Sequence, residues 1–385
     1  MVKTYRNRIV CSGVALIAVT YGFARYNYGL FLPSIRTEFV LPTTILGLIA
    51  SGSYAGYLMS TLISSLITAR TGPKFTAVIG GLFACLGLTL VAITNLTWVL
   101  AVGVIIAGSG AGWVYPAMPE AVTQVIPKEK QNRSLSWINS GTSFGVLLSG
   151  PIAIFFNTNW RVAWYCFALI TFVVTIWNLI SLPGKKTNNR NYIKINIRWL
   201  LCSQSKPLFI TAFFIGFITS IFWTFSVDIL VQYNPLSRSV GQVFWIIVGG
   251  AGVIGIFAGH LIDNFKFRSI FIYTTTGLSI ALILIALNPS SRIISYCSAI
   301  LFGCSYFLIT GLLAIWSIKV FKTRPSTGLG SVFLTLSSGQ ILGPTVFGGI
   351  ALVIGMRLLF IIGGGFLIIL FFIIPKDVNS IFFTD

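Results

Sequence analysis

The sequence is poor in acidic residues and in histidine. Its 385 residues include seven Asp and Glu and one His. Enzymes that bind catalytic metals or use acid–base chemistry need several such side chains close together. The six cysteines contain no C-x-x-C pair that would indicate a metal or redox site. We therefore expect no metal, no cofactor and no enzymatic activity, and a membrane-embedded lipid or isoprenoid transferase is disfavoured.

Charged residues of both signs are scarce as well. They make up 9% of the chain, against about 25% in soluble domains, and 56% of the residues are hydrophobic. Apolar runs of membrane-spanning length recur from the start of the chain to its end. They predict an all-α membrane protein with twelve transmembrane helices, called spans 1 to 12, near residues 9–32, 43–67, 75–94, 97–119, 134–156, 161–182, 207–232, 240–262, 269–287, 293–317, 327–351 and 357–374.

The basic residues predict the orientation of these spans. A net charge of +19 can indicate nucleic-acid binding, but here most Lys and Arg fall in the segments on the same side as the N terminus. The segments on the other side carry only Arg36, Arg161, Arg238, Arg292 and Arg357. Positive charge is retained on the cytoplasmic side of membrane proteins. We expect both termini in the cytoplasm and no nucleic-acid partner.

The two halves of the sequence repeat. Ser-Gly-Pro at 149–151 matches Leu-Gly-Pro at 342–344, and Asn-Trp-Arg at 159–161 matches Gly-Met-Arg at 355–357. Because each half has an even number of spans, the two halves are expected to point the same way. The predicted division is an N-terminal six-helix half at 1–182, a basic cytoplasmic linker at 183–206, and a C-terminal six-helix half with a short tail at 207–385.

Two loops carry a family resemblance. Arg70-Thr-Gly-Pro-Lys follows span 2, and Gly259-His-Leu-Ile-Asp263-Asn-Phe-Lys-Phe-Arg268 follows span 8. With the six-plus-six organisation, they resemble the loop signature of the major facilitator superfamily. The opening Gly-Phe-Ala-Arg25-Tyr-x-Tyr-Gly is similar to a bacterial branch of that family without a general substrate rule. The first loop departs from the family pattern, with Ser and Ala at positions 65 and 69 where the family has Gly and Asp.

The resemblance implies a secondary transporter that works by alternating access in the bacterial cytoplasmic (inner) membrane. It also implies gating at the cytoplasmic side by Arg70, Gly259, Asp263 and Arg268. The expected partners are a small-molecule substrate and the lipid bilayer, with protons as a candidate coupling ion. We expect the protein to be a monomer.

Arg25 is the one charge placed well inside a predicted span. In an α-helix, Tyr21 and Tyr28 share its face, since they lie four residues before it and three after it. Arginine inside a membrane usually faces the helix bundle or a water-filled cavity and marks a functional site. Two interpretations remain open: Arg25 contacts the substrate, which we favour, or it braces the bundle.

Other polar or aromatic side chains near mid-depth are candidate substrate contacts, and each has an alternative role in interhelical packing. They are Tyr54, Asn139, Trp223, Tyr306 and Gln340. A carrier of cations needs an acid in its cavity, whereas Asp228 and Glu120 lie near span ends, where they are candidates for proton coupling. Arg25 instead favours an anionic or neutral organic solute.

Two alternatives remain. Proton-coupled efflux of drugs or hydrophobic compounds is favoured by the glycine-rich pattern of span 11 and by the aromatic content of 14%. A transport-dead membrane sensor or scaffold is favoured by the incomplete loop after span 2.

Overall fold

The computed structural model describes residues 2–156, 159–184, 205–234, 239–257, 266–321 and 325–373, and these residues form helices without strands. Within these described ranges, eleven helices are long and apolar enough to cross a membrane, and Val240–Gly255 is a shorter apolar helix in the position of span 8. The helices of spans 1 to 12 in order are Val2–Ile17, Ala18–Tyr26 and Asn27–Phe39 (span 1); Thr43–Thr71; Pro73–Ile93; Thr97–Val125; Lys128–Asn139 and Gly141–Phe155 (span 5); Trp160–Ser181; Ser205–Tyr233; Val240–Gly252 and Val253–Phe257 (span 8); Phe267–Leu287; Arg292–Val320; Pro325–Ile354; and Met356–Ile373.

The predicted all-helical membrane fold is confirmed, and the differences lie at the helix ends. Span 1 continues past its predicted end to Phe39 and stops where Val40 adopts a left-handed conformation. Span 4 continues through Pro116 and Pro119 to Val125. Hydropathy marks the apolar part of a helix, so it misses polar turns that project beyond it. Most of the predicted linker, residues 185–204, lies outside the described residues.

Equivalent contacts in the two halves reflect the internal repeat. Arg161 at the start of span 6 donates from Nη1 to the carbonyl oxygen of Ala92 at the end of span 3, at 3.1 Å. Arg357 at the start of span 12 donates from Nε to the carbonyl oxygen of Ala286 at the end of span 9, at 2.8 Å. In both halves an arginine thereby satisfies a carbonyl that the helix end leaves free.

Small residues let the helices approach closely. A Cβ on Gly108 of span 4 would overlap the side chain of Ser53 in span 2, and one on Gly145 of span 5 would overlap the carbonyl of Ala18 in span 1. Such close approach is how membrane helices gain packing energy without a hydrophobic driving force. The contact between Gly145 and Ala18 places span 5 directly against the part of span 1 that carries Arg25.

The two halves meet at the end of the bundle where span 1 finishes, which we call the far end. Ser51 of span 2 and Thr345 of span 11 are joined through their hydroxyl oxygens at 2.8 Å. Gly47 of span 2 lies against the carbonyl of Pro344. At the far end the halves are therefore closed against each other by direct contact between spans 2 and 11.

Candidate functional site

The helix that carries Arg25 is not a regular α-helix. Residues Ala18–Tyr26 of span 1 are π-helical, so each amide hydrogen-bonds to the carbonyl five residues earlier. The segment packs on span 5, where a Cβ on Gly22 would overlap the backbone of Gly145. π-Helical segments are rare, and they are frequently found at functional sites.

The π-helical geometry changes the neighbours of Arg25. Tyr21 and Tyr26, five residues apart, both lie with ring centroids 5.4 Å from the guanidinium carbon. Tyr28, which α-helical spacing places beside Arg25, instead donates its hydroxyl to the carbonyl of Leu46 at 3.0 Å. The sequence pattern gave no sign of the π-helical segment, and Tyr26 was not among the predicted site residues.

Four tyrosines surround the guanidinium of Arg25. We call them the tyrosine cage: Tyr21, Tyr26, Tyr54 and Tyr57. The ring of Tyr57 is the nearest, with its centroid 3.7 Å from the guanidinium carbon. The hydroxyl of Tyr57 also accepts a hydrogen bond from the hydroxyl of Tyr21 at 3.1 Å. Aromatic faces attract a cation, by up to about 2 kcal/mol each when water is excluded. The cage thus partly compensates a charge that is 6% exposed.

The remaining polar contact of Arg25 comes from the other half. Its Nη2 donates to Oε1 of Gln340 in span 11 at 2.8 Å. Nε2 of Gln340 in turn donates to the hydroxyl of Tyr306 in span 10 at 3.2 Å. This chain of hydrogen bonds connects spans 1, 10 and 11, so the site lies between the two halves.

In the part of the chain that the structure describes, the charge of Arg25 has no acidic partner. Asp228 and Glu38 pair instead with Arg36 and Arg161, and Nε of Arg25 is buried without a hydrogen-bond acceptor. A buried charge without a counter-charge is costly. A bound anion would relieve that cost.

A small cavity adjoins Arg25. Its volume is about 10 Å³, which is close to the space of one water molecule. Its lining residues are Arg25, Tyr26, Tyr28, Gly29, Ala50, Ser53, Tyr54, Trp223 and Thr224. Trp223 stacks on Tyr26 with ring centroids 4.1 Å apart. The cavity is too small for an organic solute, so a solute can bind beside Arg25 only after the surrounding side chains or helices move.

The structure brings most of the predicted substrate-binding residues together and leaves one apart. Around Arg25 or its cavity lie Tyr21, Tyr28, Tyr54, Trp223, Tyr306 and Gln340. Asn139 is exposed at the end of the helix Lys128–Asn139 and does not line this cavity. Tyr57 was missed, although it follows the predicted Tyr54 by three residues and so shares its helix face.

An ion pair joins the halves at the far end. Arg36 of span 1 donates from Nη2 and Nε to the two carboxylate oxygens of Asp228 in span 7, at 2.6 and 2.9 Å. Thr43 and Gln232 make further hydrogen bonds to the pair. The Asp228 side chain is 1% exposed and that of Arg36 is 25% exposed. Asp228 does lie towards the end of its span, but it is buried in a fork-shaped ion pair that the sequence did not predict.

The other predicted residues lie away from Arg25 or beyond the described part of the chain. Arg70 lies in the last turn of the helix of span 2, and Arg268 lies in the first turn of that of span 9. Glu120 of span 4 accepts a hydrogen bond from Gln124 at 3.2 Å. Gly259 and Asp263 fall outside the described residues. The gating and coupling roles assigned to these residues stay predictions.

Repeated helical halves with a polar site buried between them are the architecture of a membrane transporter. The model of the Major Facilitator Superfamily matches residues 14–338, and the chain belongs to that family. It is a multi-pass membrane protein of a transporter family. The expectation that it is not an enzyme agrees with this family and fold, which are those of transporters.

Two solved structures share the fold across almost the whole chain. A point mutant of the nucleoside transporter NupG has a TM-score of 0.79 at 12% identity, covering 98% of this chain and 100% of that one. A bacterial homologue of the human lysosomal transporter Spinster, inward-facing and unoccupied, has a TM-score of 0.75 at 13% identity, covering 98% of both chains. At these identities the similarity establishes the fold alone.

Curated relatives match over shorter stretches. The hexuronate transporter of Bacillus subtilis (strain 168) is 25% identical over 253 residues, which are 61% of this chain and 59% of the relative. Sugar transport protein 12 of Arabidopsis thaliana is 25% identical over 138 residues, covering 35% of this chain and 27% of the relative. The alignments thus span between about a quarter and three-fifths of these relatives.

Proposed function

We propose that this protein is a secondary active transporter that moves a small organic anion across the cytoplasmic membrane by alternating access. The observation that carries the proposal is Arg25: a buried guanidinium between the two halves, without a carboxylate partner among the described residues. The planar guanidinium binds a carboxylate through two parallel hydrogen bonds. A substrate anion would supply the counter-charge that the protein itself does not.

Carboxylated sugars are the first substrates to test. One relative is a hexuronate transporter and another a sugar transport protein, and the site offers what a sugar acid needs. Arg25 would bind the carboxylate, and the hydroxyls of Ser53, Tyr54 and Thr224 at the cavity would bind sugar hydroxyls. The indole of Trp223 would pack on the sugar ring. A neutral sugar would use the same hydroxyls without the charge pairing, and it is the second choice.

Alternating access assigns roles to the two ends of the bundle. In the described conformation the far end is closed, and the ion pair between Arg36 and Asp228 contributes to that closure. We expect the opposite, cytoplasmic end to be gated by Arg70, Gly259, Asp263 and Arg268, as the family resemblance implies. Asp228 and Glu120 are the proposed proton-coupling groups. The proposed state is a monomer in a bacterial cytoplasmic membrane with both termini inside.

The experiment that tests the substrate class is a thermal-shift screen of the purified protein in detergent. Glucuronate, galacturonate, neutral sugars and cationic dyes are compared on the wild type and on Arg25→Ala. A ligand at a hundred times its Kd stabilises the fold by about 2.7 kcal/mol. We expect a sugar acid to stabilise the wild type but not Arg25→Ala. Arg161→Ala, which removes an arginine paired elsewhere with Glu38, should keep the ligand response.

The opposite result would favour efflux. If cationic dyes stabilise the wild type and Arg25→Ala equally, the anion proposal fails and Arg25 is a structural brace. The glycine pattern of span 11 gives efflux little support, because Gly339 and Gly343 lie against span 7, at Phe213 and Ser220. Saturable solute uptake into liposomes would exclude a sensor or scaffold without transport activity.

A further inference from the structure

Gln340 occupies the position on Arg25 where an anion is expected. The guanidinium of Arg25 has only hydrogen-bond donors, and the acceptor that Nη2 meets is Oε1 of Gln340 at 2.8 Å. This length is typical of a charge-assisted hydrogen bond, the kind that a carboxylate oxygen makes with arginine. Gln340 is fully buried, so water does not compete for either group.

The orientation of the Gln340 amide is fixed by its two neighbours. Its oxygen must face Arg25, because the guanidinium cannot accept a hydrogen bond. Its nitrogen then faces the hydroxyl of Tyr306 at 3.2 Å. The ring of Tyr306 is itself held, since it stacks on Phe302 with centroids 5.5 Å apart and meets Trp223 edge-on. The amide oxygen is therefore presented to Arg25 by a rigid aromatic support in the C-terminal half.

We propose that Gln340 is a built-in competitor of the substrate: its side-chain oxygen stands in for the substrate anion on Arg25, and substrate binding displaces it. The inference rests on the transport function proposed above. It also gives binding a mechanical effect, since the hydrogen bond between Arg25 and Gln340 joins span 1 to span 11. When the anion takes over Arg25, this link between the halves is broken.

The choice of amide over acid suits this role. A neutral oxygen binds the guanidinium less strongly than a carboxylate does, so a substrate carboxylate can replace it. A glutamate at position 340 would form a full ion pair with Arg25 and would not be displaced. A leucine at position 340 would offer Arg25 neither an amide oxygen nor a carboxylate. The two substitutions therefore shift anion binding in opposite directions.

The test compares Gln340→Leu and Gln340→Glu with the wild type. Gln340→Leu removes the competing hydrogen bond, so it should lower the Kd for glucuronate about tenfold. The rate at which this variant transports glucuronate into liposomes should fall, because substrate binding no longer breaks a link between the halves. Gln340→Glu should abolish glucuronate binding. Asn178→Leu removes another fully buried amide, which bonds to Ser12. As a control for loss of a buried amide, it should lower the melting temperature without tightening binding.

A second readout needs no ligand. Without any anion, Gln340→Glu should melt above the wild type, since the new carboxylate completes an ion pair with Arg25. If it melts below the wild type, or if Gln340→Leu binds glucuronate more weakly, Gln340 is a packing residue or a direct substrate contact and the proposal is wrong. If neither the wild type nor any variant binds glucuronate but Gln340→Glu melts above the wild type, then glucuronate is not the substrate. The proposal that Gln340 occupies the place of an anion on Arg25 is still supported by that result.

Discussion

Asp228→Asn should open the far end of the bundle. The substitution keeps the shape of the side chain but removes one charge of the ion pair that joins spans 1 and 7. Breaking a buried ion pair costs about 3–5 kcal/mol. Because the Arg36 side chain is 25% exposed, water offsets part of this cost, and we expect the closed far end to lose about 2–3 kcal/mol of stability relative to the open one. The ratio of molecules in which the far end is open to molecules in which it is closed then rises about 30- to 150-fold.

The assay is chemical labelling of a cysteine at the cavity. Ser53, which lines the cavity beside Arg25, is changed to cysteine in a protein whose native cysteines are replaced. A membrane-impermeant maleimide is then added to intact cells, from the side where the predicted orientation places the far end. Asp228→Asn should raise the labelling rate by at least tenfold. A rate within twofold of the parent would show that the ion pair does not keep the far end closed.

The chain supplies a matched control for this experiment. Arg161 and Glu38 also form an ion pair at the far end, but it joins spans 6 and 1 within the N-terminal half, and the Glu38 side chain is 41% exposed. Exposed pairs contribute about 0–1 kcal/mol. Glu38→Gln should therefore leave the labelling rate unchanged. Exchanging Arg36 and Asp228 for each other should restore slow labelling, because the pair is rebuilt with reversed polarity.

Three further predictions concern Arg25 and the helix geometry. Arg25→Lys should bind sugar acids about tenfold more weakly than wild type, since lysine keeps the charge but not the two-pronged fork; isothermal titration measures this. Gly145→Val should lower the melting temperature, because its side chain meets the carbonyl of Ala18 in the π-helical segment. Gly355→Ala should lower the free energy of unfolding by about 1–2 kcal/mol, since φ there is +83°. By contrast, Gly349 lies inside a helix and a Cβ there would meet no other atom, so Gly349→Ala should raise the free energy of unfolding by about 0.5–1 kcal/mol.

The fold could be predicted from the sequence because membrane helices leave a direct signal. A span needs about 20 apolar residues, and the short polar turns between spans, such as the one at Gly72 and Pro73, stand out against them. Gly72 has φ +88° and Pro73 begins span 3, the arrangement that these residue types favour at helix boundaries. Helix ends were less predictable, because a helix stops where its capping geometry allows and not where hydropathy falls.

The site could be predicted only in part. Arg25 was identifiable because a charge inside a span is rare, but its partner Gln340 lies 315 residues away in the chain. No local pattern encodes a contact of that kind. The π-helical segment was equally hidden, since its residues are as apolar as those of an α-helix. Tyr26 enters the cage only through that geometry, so the cage could not be assembled from helical spacing alone.

The symmetry of the fold does not extend to the site. Arg161 and Arg357 make equivalent contacts in the two halves. At the offset of 193 residues that relates Ser-Gly-Pro at 149–151 to Leu-Gly-Pro at 342–344, however, the positions that match Arg25 and Gln340 are Ile218 and Leu147. The tyrosine cage belongs entirely to spans 1 and 2. In the proposed alternating-access cycle these two spans move together. The contacts between the tyrosine cage and Arg25 therefore stay unchanged, while the contacts from spans 7, 10 and 11 change. The charged part of the site would therefore travel with the N-terminal half, and the neutral groups of the C-terminal half would set how tightly the anion is enclosed.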